Sequence, residues 1–417
     1  LKAPAHPLAT TSLAFTALIG TISALQAAST TITLPALPGI AEGLGTTAGV
    51  AQFTVSGFLI GVACGQILSG ALSDRYGRRP ILLAGLAIVV VTGVGCTFAT
   101  DIGMLIALRV LQGFGAAASM ILGRAIIRDA FEGPQALRAM SNMATLLGIV
   151  PMLGPPLAGL MLEFLTWRWI YGLVTVLTLV VGLVAWRRLG ETLRRPDPTA
   201  TDPRRIVANC IEMIRMPKSI GFVLTAYLIY AGIYGYLALI PFIAQQAFDL
   251  GAGHAGALVG AVSLAIWSGA LINNRLIRRV PVRHMLRLST GIAVLAGAAS
   301  FAATYAVAHG WWSDPRSGVA LASIVASSML FGMSFGMTQS NCIVMSLQPL
   351  PHIAGTASAL GASVQTLCGA MGAWIASQLY DGTPTALGWC MAVAGTASFL
   401  MFTLVAAKHA PDRLAGR

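Results

Sequence analysis

Charge is what this sequence has least of. Only 10% of its 417 residues are Asp, Glu, Lys or Arg, against 56% hydrophobic. A soluble chain carries about a quarter charged residues, so a water-soluble globular protein is excluded. Acidic residues are scarcest, at 14, and all fall in loops or at the ends of apolar segments. Glu42, Asp101, Glu163, Asp249, Asp314 and Asp381 lie to one side of those segments and the other eight to the other. The six cysteines (Cys64, Cys96, Cys210, Cys342, Cys368, Cys390) have no paired metal-ligand spacing, and five lie in apolar segments. A thiol there behaves as a small hydrophobe, so neither a disulfide framework nor a metal centre is expected. The six histidines fall in loops and tails, which argues against a metal path through paired helical ligands. No Ser/His/Asp constellation or phosphate-cradling loop is present, so neither an enzyme nor a cofactor is expected.

Charge-free runs are plentiful instead. They cover 3–41, 43–73, 80–100, 110–123, 139–162, 169–186, 219–248, 250–274, 288–313, 317–380 and 382–407. The 64-residue run 317–380 holds two spans, divided near Pro349 and Pro351, and run 110–123 extends back through Arg109 to Gly103. The result is twelve segments of roughly 20 residues, the length a helix needs to cross ~30 Å of hydrocarbon. The predicted class is an all-α membrane protein of twelve transmembrane helices. Its first apolar stretch runs too far past its short flank for a cleavable signal peptide.

Lys and Arg are spread unevenly across these segments. With both termini in the cytoplasm, 23 of the 26 fall on that side. Arg168 and Arg316 fall outside, and Arg109 lies within a span. Such asymmetry orients inserted helices, and predicts a multi-pass inner-membrane protein with cytoplasmic termini. It also accounts for the net charge of +12 without a nucleic-acid partner. The partners expected are the lipid bilayer and a small-molecule substrate.

Residues 187–218 form the one long polar stretch, with six spans before it and six after. The pattern Arg75-x-x-Arg78-Arg79 returns as Arg275-x-x-Arg278-Arg279. The organisation expected is a six-helix half at 11–188, a cytoplasmic linker at 189–217 and a second six-helix half at 218–408. In such a repeat the substrate site lies between the halves near mid-membrane. A monomer is expected. Gly57, Gly61 and Gly65 give the second span a flat stripe for close backbone approach. Ala357, Gly361, Gly369 and Ala373 do the same for the eleventh.

Between the second and third spans the chain reads Gly70-Ala71-Leu72-Ser73-Asp74-Arg75-Tyr76-Gly77-Arg78-Arg79. This resembles, at every defining position, the loop between helices 2 and 3 of major facilitator superfamily transporters, Gly-x-Leu-Ser-Asp-Arg-x-Gly-Arg-Arg. Arg109-Val-Leu-Gln-Gly113-Phe-Gly115-Ala-Ala is similar to that superfamily's helix-4 pattern. Gly148-Ile-Val-Pro151-Met-Leu-Gly154-Pro155-Pro156-Leu-Ala-Gly159 resembles the helix-5 motif of its antiporters, with Ala158 replacing one glycine of the common pair. Leu34-Pro35-Ala36-Leu37-Pro38, with Gly65-Gln66, is similar to the bicyclomycin and chloramphenicol resistance subfamily of drug/proton antiporters. Over the second half the resemblance rests on span count and on Gly355-Thr-Ala-Ser-Ala-Leu360.

The resemblance implies the major facilitator fold, alternating access between its two halves, and protons as a coupling partner. Helices 2 and 11 would face each other across the halves and slide. Conformational roles follow for Gly70, Asp74, Arg75, Gly77, Arg78 and Arg79, and for Pro151, Gly154 and Pro155 of a bent helix 5. Asp74 would bridge to the start of helix 11, near Gly355, in one state and release it in the other. Subfamily members usually carry acids in helix 1 that take part in proton coupling. Ser23 and Thr31 stand at those positions here.

Candidate substrate contacts are the polar side chains on cavity-lining helices. These are Gln26, Gln52, Arg109 and Gln112 in the first half, and Gln339, Asn341 and Gln365 in the second. Tyr227, Tyr230 and Tyr234 add one aromatic face at i, i+3, i+7. Aromatics, amides and one charge suit an amphipathic organic molecule. Arg109, the one charge within a span, needs a partner or a wet cavity. It is expected to face the cavity beside Gln112 and take its counter-charge from an anionic or carbonyl-rich substrate or from a proton-exchanging carboxylate at a helix end, the alternative being outward reach to Asp101 or Glu163. The function expected is export of a small organic compound, drug or metabolite, by proton antiport. Uptake of a small anionic solute or siderophore is the alternative, and a non-transporting receptor a further one.

Overall fold

Twelve helices of the computed structural model are long and apolar enough to cross a membrane. The described residues are 13–410 apart from 194, 278, 312–316, 351 and 352, and no strand occurs among them. Lys2, Arg194, Arg278, Arg316, Arg413 and Arg417, used above to orient the chain, lie outside them, as do His6, Asp314, Pro351, His352 and Asp412.

The first half comprises α1 (Leu13–Thr31), α2 (Ala48–Tyr76), α3 (Arg78–Thr97), α4 (Ile102–Ala130), α5 (Gly133–Leu162) and α6 (Trp167–Arg188). The second comprises α7 (Pro217–Phe242), α8 (Ala252–Leu276), α9 (Val282–Ala308), α10 (Gly318–Leu347), α11 (Ala354–Leu379) and α12 (Thr385–Leu404). In the first, α1 packs on α4, α5 and α6, α2 on α4, and α3 on α4 and α6. The second half reproduces every one of these pairs six helices later. The weak repeat of the basic loop is thus a repeat of architecture. Large apolar side chains such as Val91, Leu295, Val319 and Leu404 point outward, as a bilayer requires.

Between the halves, α2 packs on α11 and α5 on α8. The glycine stripes do not make the first of these contacts. Gly61 and Gly65 lie against the Val110 and Phe114 carbonyls of α4, and Gly113 of α4 lies against the Phe58 carbonyl of α2. On α11, Gly369 faces Tyr230 and Tyr234, and Gly372 faces the Ala231 backbone, all on α7. The stripes therefore lock helices inside each half, where removing Cβ lets backbones touch. A different face of α2 meets α11. There the Ser363 hydroxyl donates to the Ala63 carbonyl at 2.9 Å, and the Thr366 hydroxyl donates to Gln66 Oε1 at 3.4 Å.

The end that bears the α2–α3 junction, the basic end, also carries a helix from the segment joining the halves. Pro203–Arg215 is capped by the Asp202 carboxylate on Arg204 N–H, and its Met213 is buried with Phe222, Tyr227 and Leu360 of the second half. Asn209 donates to the Thr356 hydroxyl of α11 at 3.3 Å. At the opposite end α5 packs tightly on α8, beside a groove of about 400 Å³ lined by Gly39, Glu42, Trp167 and Gln245. Gly159 lies on the Ala252 backbone, and Gly256 on the Pro155 carbonyl.

Candidate functional site

The α2–α3 junction has no loop in the ordinary sense. Gly77, at φ 105°, turns the chain directly from one helix into the next, a conformation that favours glycine. The first two N–H groups of α3 would be orphaned by so sharp a turn. Glu191, just past α6, accepts from both, at 2.9 Å from Arg78 N and 3.1 Å from Arg79 N. The Arg78 side chain turns inward, donating to Asp129 of α4 at 2.9 Å and to the Ser73 hydroxyl at 2.7 Å, and pairing with Asp74. Arg79 donates to the Trp186 carbonyl at 2.8 Å, and Arg75 to the Thr201 hydroxyl. The motif therefore ties α2, α3, α4, α6 and the linker into one block. The Asp74 carboxylate pairs with Arg78 here; its expected bridge to α11 is not made, and a cavity separates it from Gly355.

That cavity, of about 210 Å³, lies between the halves at the basic end. Gly70, Asp74, Arg124, Arg128 and Met140 line it from the first half, Asn209 from the linker, and Gly355, Thr356 and Ala359 from α11. A small inner pocket of about 20 Å³ continues it, where Arg124 meets Tyr227, Gly361 and Gln365. Asp197, in the linker wall, accepts from the Thr199 hydroxyl and amide and from Arg205, which holds its carboxyl below the usual carboxylate range.

Arg109 is elsewhere, and the expectation that it faces this cavity is corrected. It is 1% exposed in the interior of the first half. Its guanidinium donates to the Ser29 carbonyl (3.1 Å), the Thr54 carbonyl (3.3 Å), Gln112 Oε1 (2.7 Å) and the Thr33 hydroxyl (3.4 Å). It also lies 4.1 Å from the Phe58 ring centroid. Carbonyl dipoles and an aromatic face take the place of a carboxylate. Nor does it reach outward to Asp101, whose carboxylate accepts from Met104 N–H and caps α4. Gln112 is consumed by Arg109. Gln26 Oε1 and both amide atoms of Gln52 are buried without a partner among the described residues.

In the second half Tyr227 opens onto the inner pocket. Tyr230 and Tyr234 instead bond each other through their hydroxyls at 3.2 Å and pack on Gly369 and Phe335. Gln365 reaches the pocket. Gln339 is half-buried. Asn341 does not face the cavity: its amide donates to Asn273 of α8 at 2.7 Å, inside the half. Pro151, Gly154 and Pro155 lie on α5, where Pro155 meets Gly256 and Gly154 meets Ile32.

Arg124 escaped the sequence reading. Charge counting ended the fourth span at this residue, but α4 runs on to Ala130. The signal was present: after Gly123 no helix breaker occurs before Gly133-Pro134.

Paired six-helix halves with a lined cavity between them define a transporter of small molecules. The chain matches the Major Facilitator Superfamily over residues 19–373 and belongs to that family. A Bacillus subtilis (strain 168) protein, the uncharacterized MFS-type transporter YdgK, is 28% identical over 368 residues, covering 88% of this chain and 89% of its own. A bicyclomycin resistance protein homolog of Haemophilus influenzae is 24% identical, with 92% of this chain and 94% of that protein covered. Among solved structures a D-xylose-proton symporter shares the fold, with TM-score 0.74 at 14% identity over 97% of this chain and 100% of that one.

Proposed function

We propose that this protein exports a small organic compound, drug or metabolite, across the inner membrane, with its basic end and both termini in the cytoplasm. The observation that carries the reading is the cavity of about 210 Å³ between the halves at the arginine-rich end, with α5 and α8 in backbone contact toward the other. In that orientation this is the state that accepts cargo from inside. The resistance protein homolog among its relatives supports the direction. Helix 5, which carries Pro151, Pro155 and Pro156 where it meets α8, serves as the gate of the far end.

Protons are the proposed exchange partner, with loose coupling. Ser23 and Thr31 occupy the helix-1 acid positions, and the Ser23 hydroxyl donates to the Ile19 carbonyl of its own helix. Carboxylates at helix ends are left to exchange the proton. The protein works as a monomer, each copy holding a whole cavity. The test is flux in everted vesicles from an efflux-deficient host, with and without an imposed pH gradient. Accumulation only modestly raised by the gradient is expected; uptake confined to right-side-out vesicles would overturn export, and strict gradient dependence would overturn loose coupling.

A further inference from the structure

The charges around the cavity do not balance. Two carboxylates line it, Asp74 and Asp197, and each is already held by an arginine, Arg78 and Arg205 respectively. Two other arginines line it without such a partner. Arg124 and Arg128 stand one turn apart on one face of α4, with Ile121 and Ala125 beside them. Neither makes a hydrogen bond or ion pair with any described residue. Arg128 is exposed at the mouth, and Arg124 sits deeper, half-buried, at the junction of the main cavity and the inner pocket. The contrast with Arg109 is instructive. A guanidinium sealed inside the first half is given four oxygen acceptors, while Arg124 is given none. A guanidinium that faces a cavity with its donors unspent is free to hold a partner that comes and goes.

The far wall supplies the rest of a site. Tyr227 of α7 and Gln365 of α11 line the inner pocket together with Arg124. Both belong to the second half, and both can donate to a carboxylate or phosphate oxygen. We propose, building on the export reading, that the transported compound is an organic anion whose acidic group is held by Arg124 from one half and by Tyr227 and Gln365 from the other. Arg128 draws the anion into the mouth. The space of about 210 Å³ is below the usual size of a drug pocket, so the cargo is small. Because its donors come from both halves, the bound anion joins them at the depth of Arg124.

The test uses purified full-length protein in nanodiscs and matched acid/amide pairs, benzoate with benzamide and nicotinate with nicotinamide. At millimolar concentration the carboxylates should raise the unfolding midpoint by a few degrees and the amides should not. Arg124→Gln should weaken carboxylate binding at least about tenfold, Arg124→Lys less, and Arg187→Gln, exposed in the last turn of α6, not at all. Equal stabilisation by acids and amides, retention of the preference in Arg124→Gln, or no effect of any carboxylate on monodisperse protein would overturn the inference. The first two outcomes leave export standing. Conversely, Arg124-dependent stabilisation with uptake only into right-side-out vesicles overturns export and leaves the anion site intact.

Discussion

Arg109 and Arg124 occupy one helix, about 22 Å apart at 1.5 Å per residue, and meet the cost of a cation in a membrane in opposite ways. Arg109 collects carbonyls from α1 and α2, so its loss should be structural before it is kinetic. Arg109→Ala removes a charge bound by several acceptors and leaves those oxygens buried; a stability loss of about 3 kcal/mol or more is expected, with transport abolished. Arg109→Lys should also lose most transport, because one ammonium cannot reproduce a planar fork. Thermal unfolding beside flux separates the two causes: unchanged stability in the alanine variant would show that the network is incidental. Gly77 makes a second case. At φ 105°, with Glu191 packed where a Cβ would go, Gly77→Ala should cost about 1–2 kcal/mol, read as a lower unfolding midpoint.

Among the elements, α5 and α8 touch backbone to backbone across the halves. Gly256 lies directly on the Pro155 carbonyl, so Gly256→Leu should wedge the two helices apart. Transport should fall severalfold or more with normal insertion, and a cysteine placed near Glu163 should become open to an impermeant thiol reagent. Unchanged labelling would mean the seal lies elsewhere. The spans themselves were legible because hydrocarbon tolerates so few charges that their absence marks length. The same rule misplaced the end of α4. Arginines in a wet groove between halves escape the penalty that made the ruler work, so Arg124 was read as loop. Helical spacing could not assign Gly57, Gly61 and Gly65 to α4 rather than α11, because small residues invite any backbone. Nor could it distinguish Asn341, spent on Asn273, from Gln365, which reaches the pocket.

At the scale of the whole molecule the proposed orientation is directly testable. A reporter active only in cytoplasm should work when fused after Arg205 and fail after Asp249; the reverse would turn the protein over. Asp74 belongs at this scale too. Its carboxylate faces a cavity whose other wall is the start of α11, and closing the basic end would bring the two together. Asp74→Asn should lose most transport, on the order of tenfold, while expression and insertion persist. Wild-type flux in that variant would reduce the residue to a partner of Arg78.

The interlocking of α2 with α4 has a mechanical consequence. Helices whose backbones touch at Gly61, Gly65 and Gly113 cannot shear past one another, so the half would tilt as one stiff lever. With helices of 29 residues, roughly 43 Å long, a tilt of about 10° moves the basic tip by about 7 Å. Arg124 sits nearer the fulcrum than Asp74 and would travel less. Small angular play at the pivot is thereby amplified into full opening at the rim, and Arg124 would be carried away from Tyr227 and Gln365 with it.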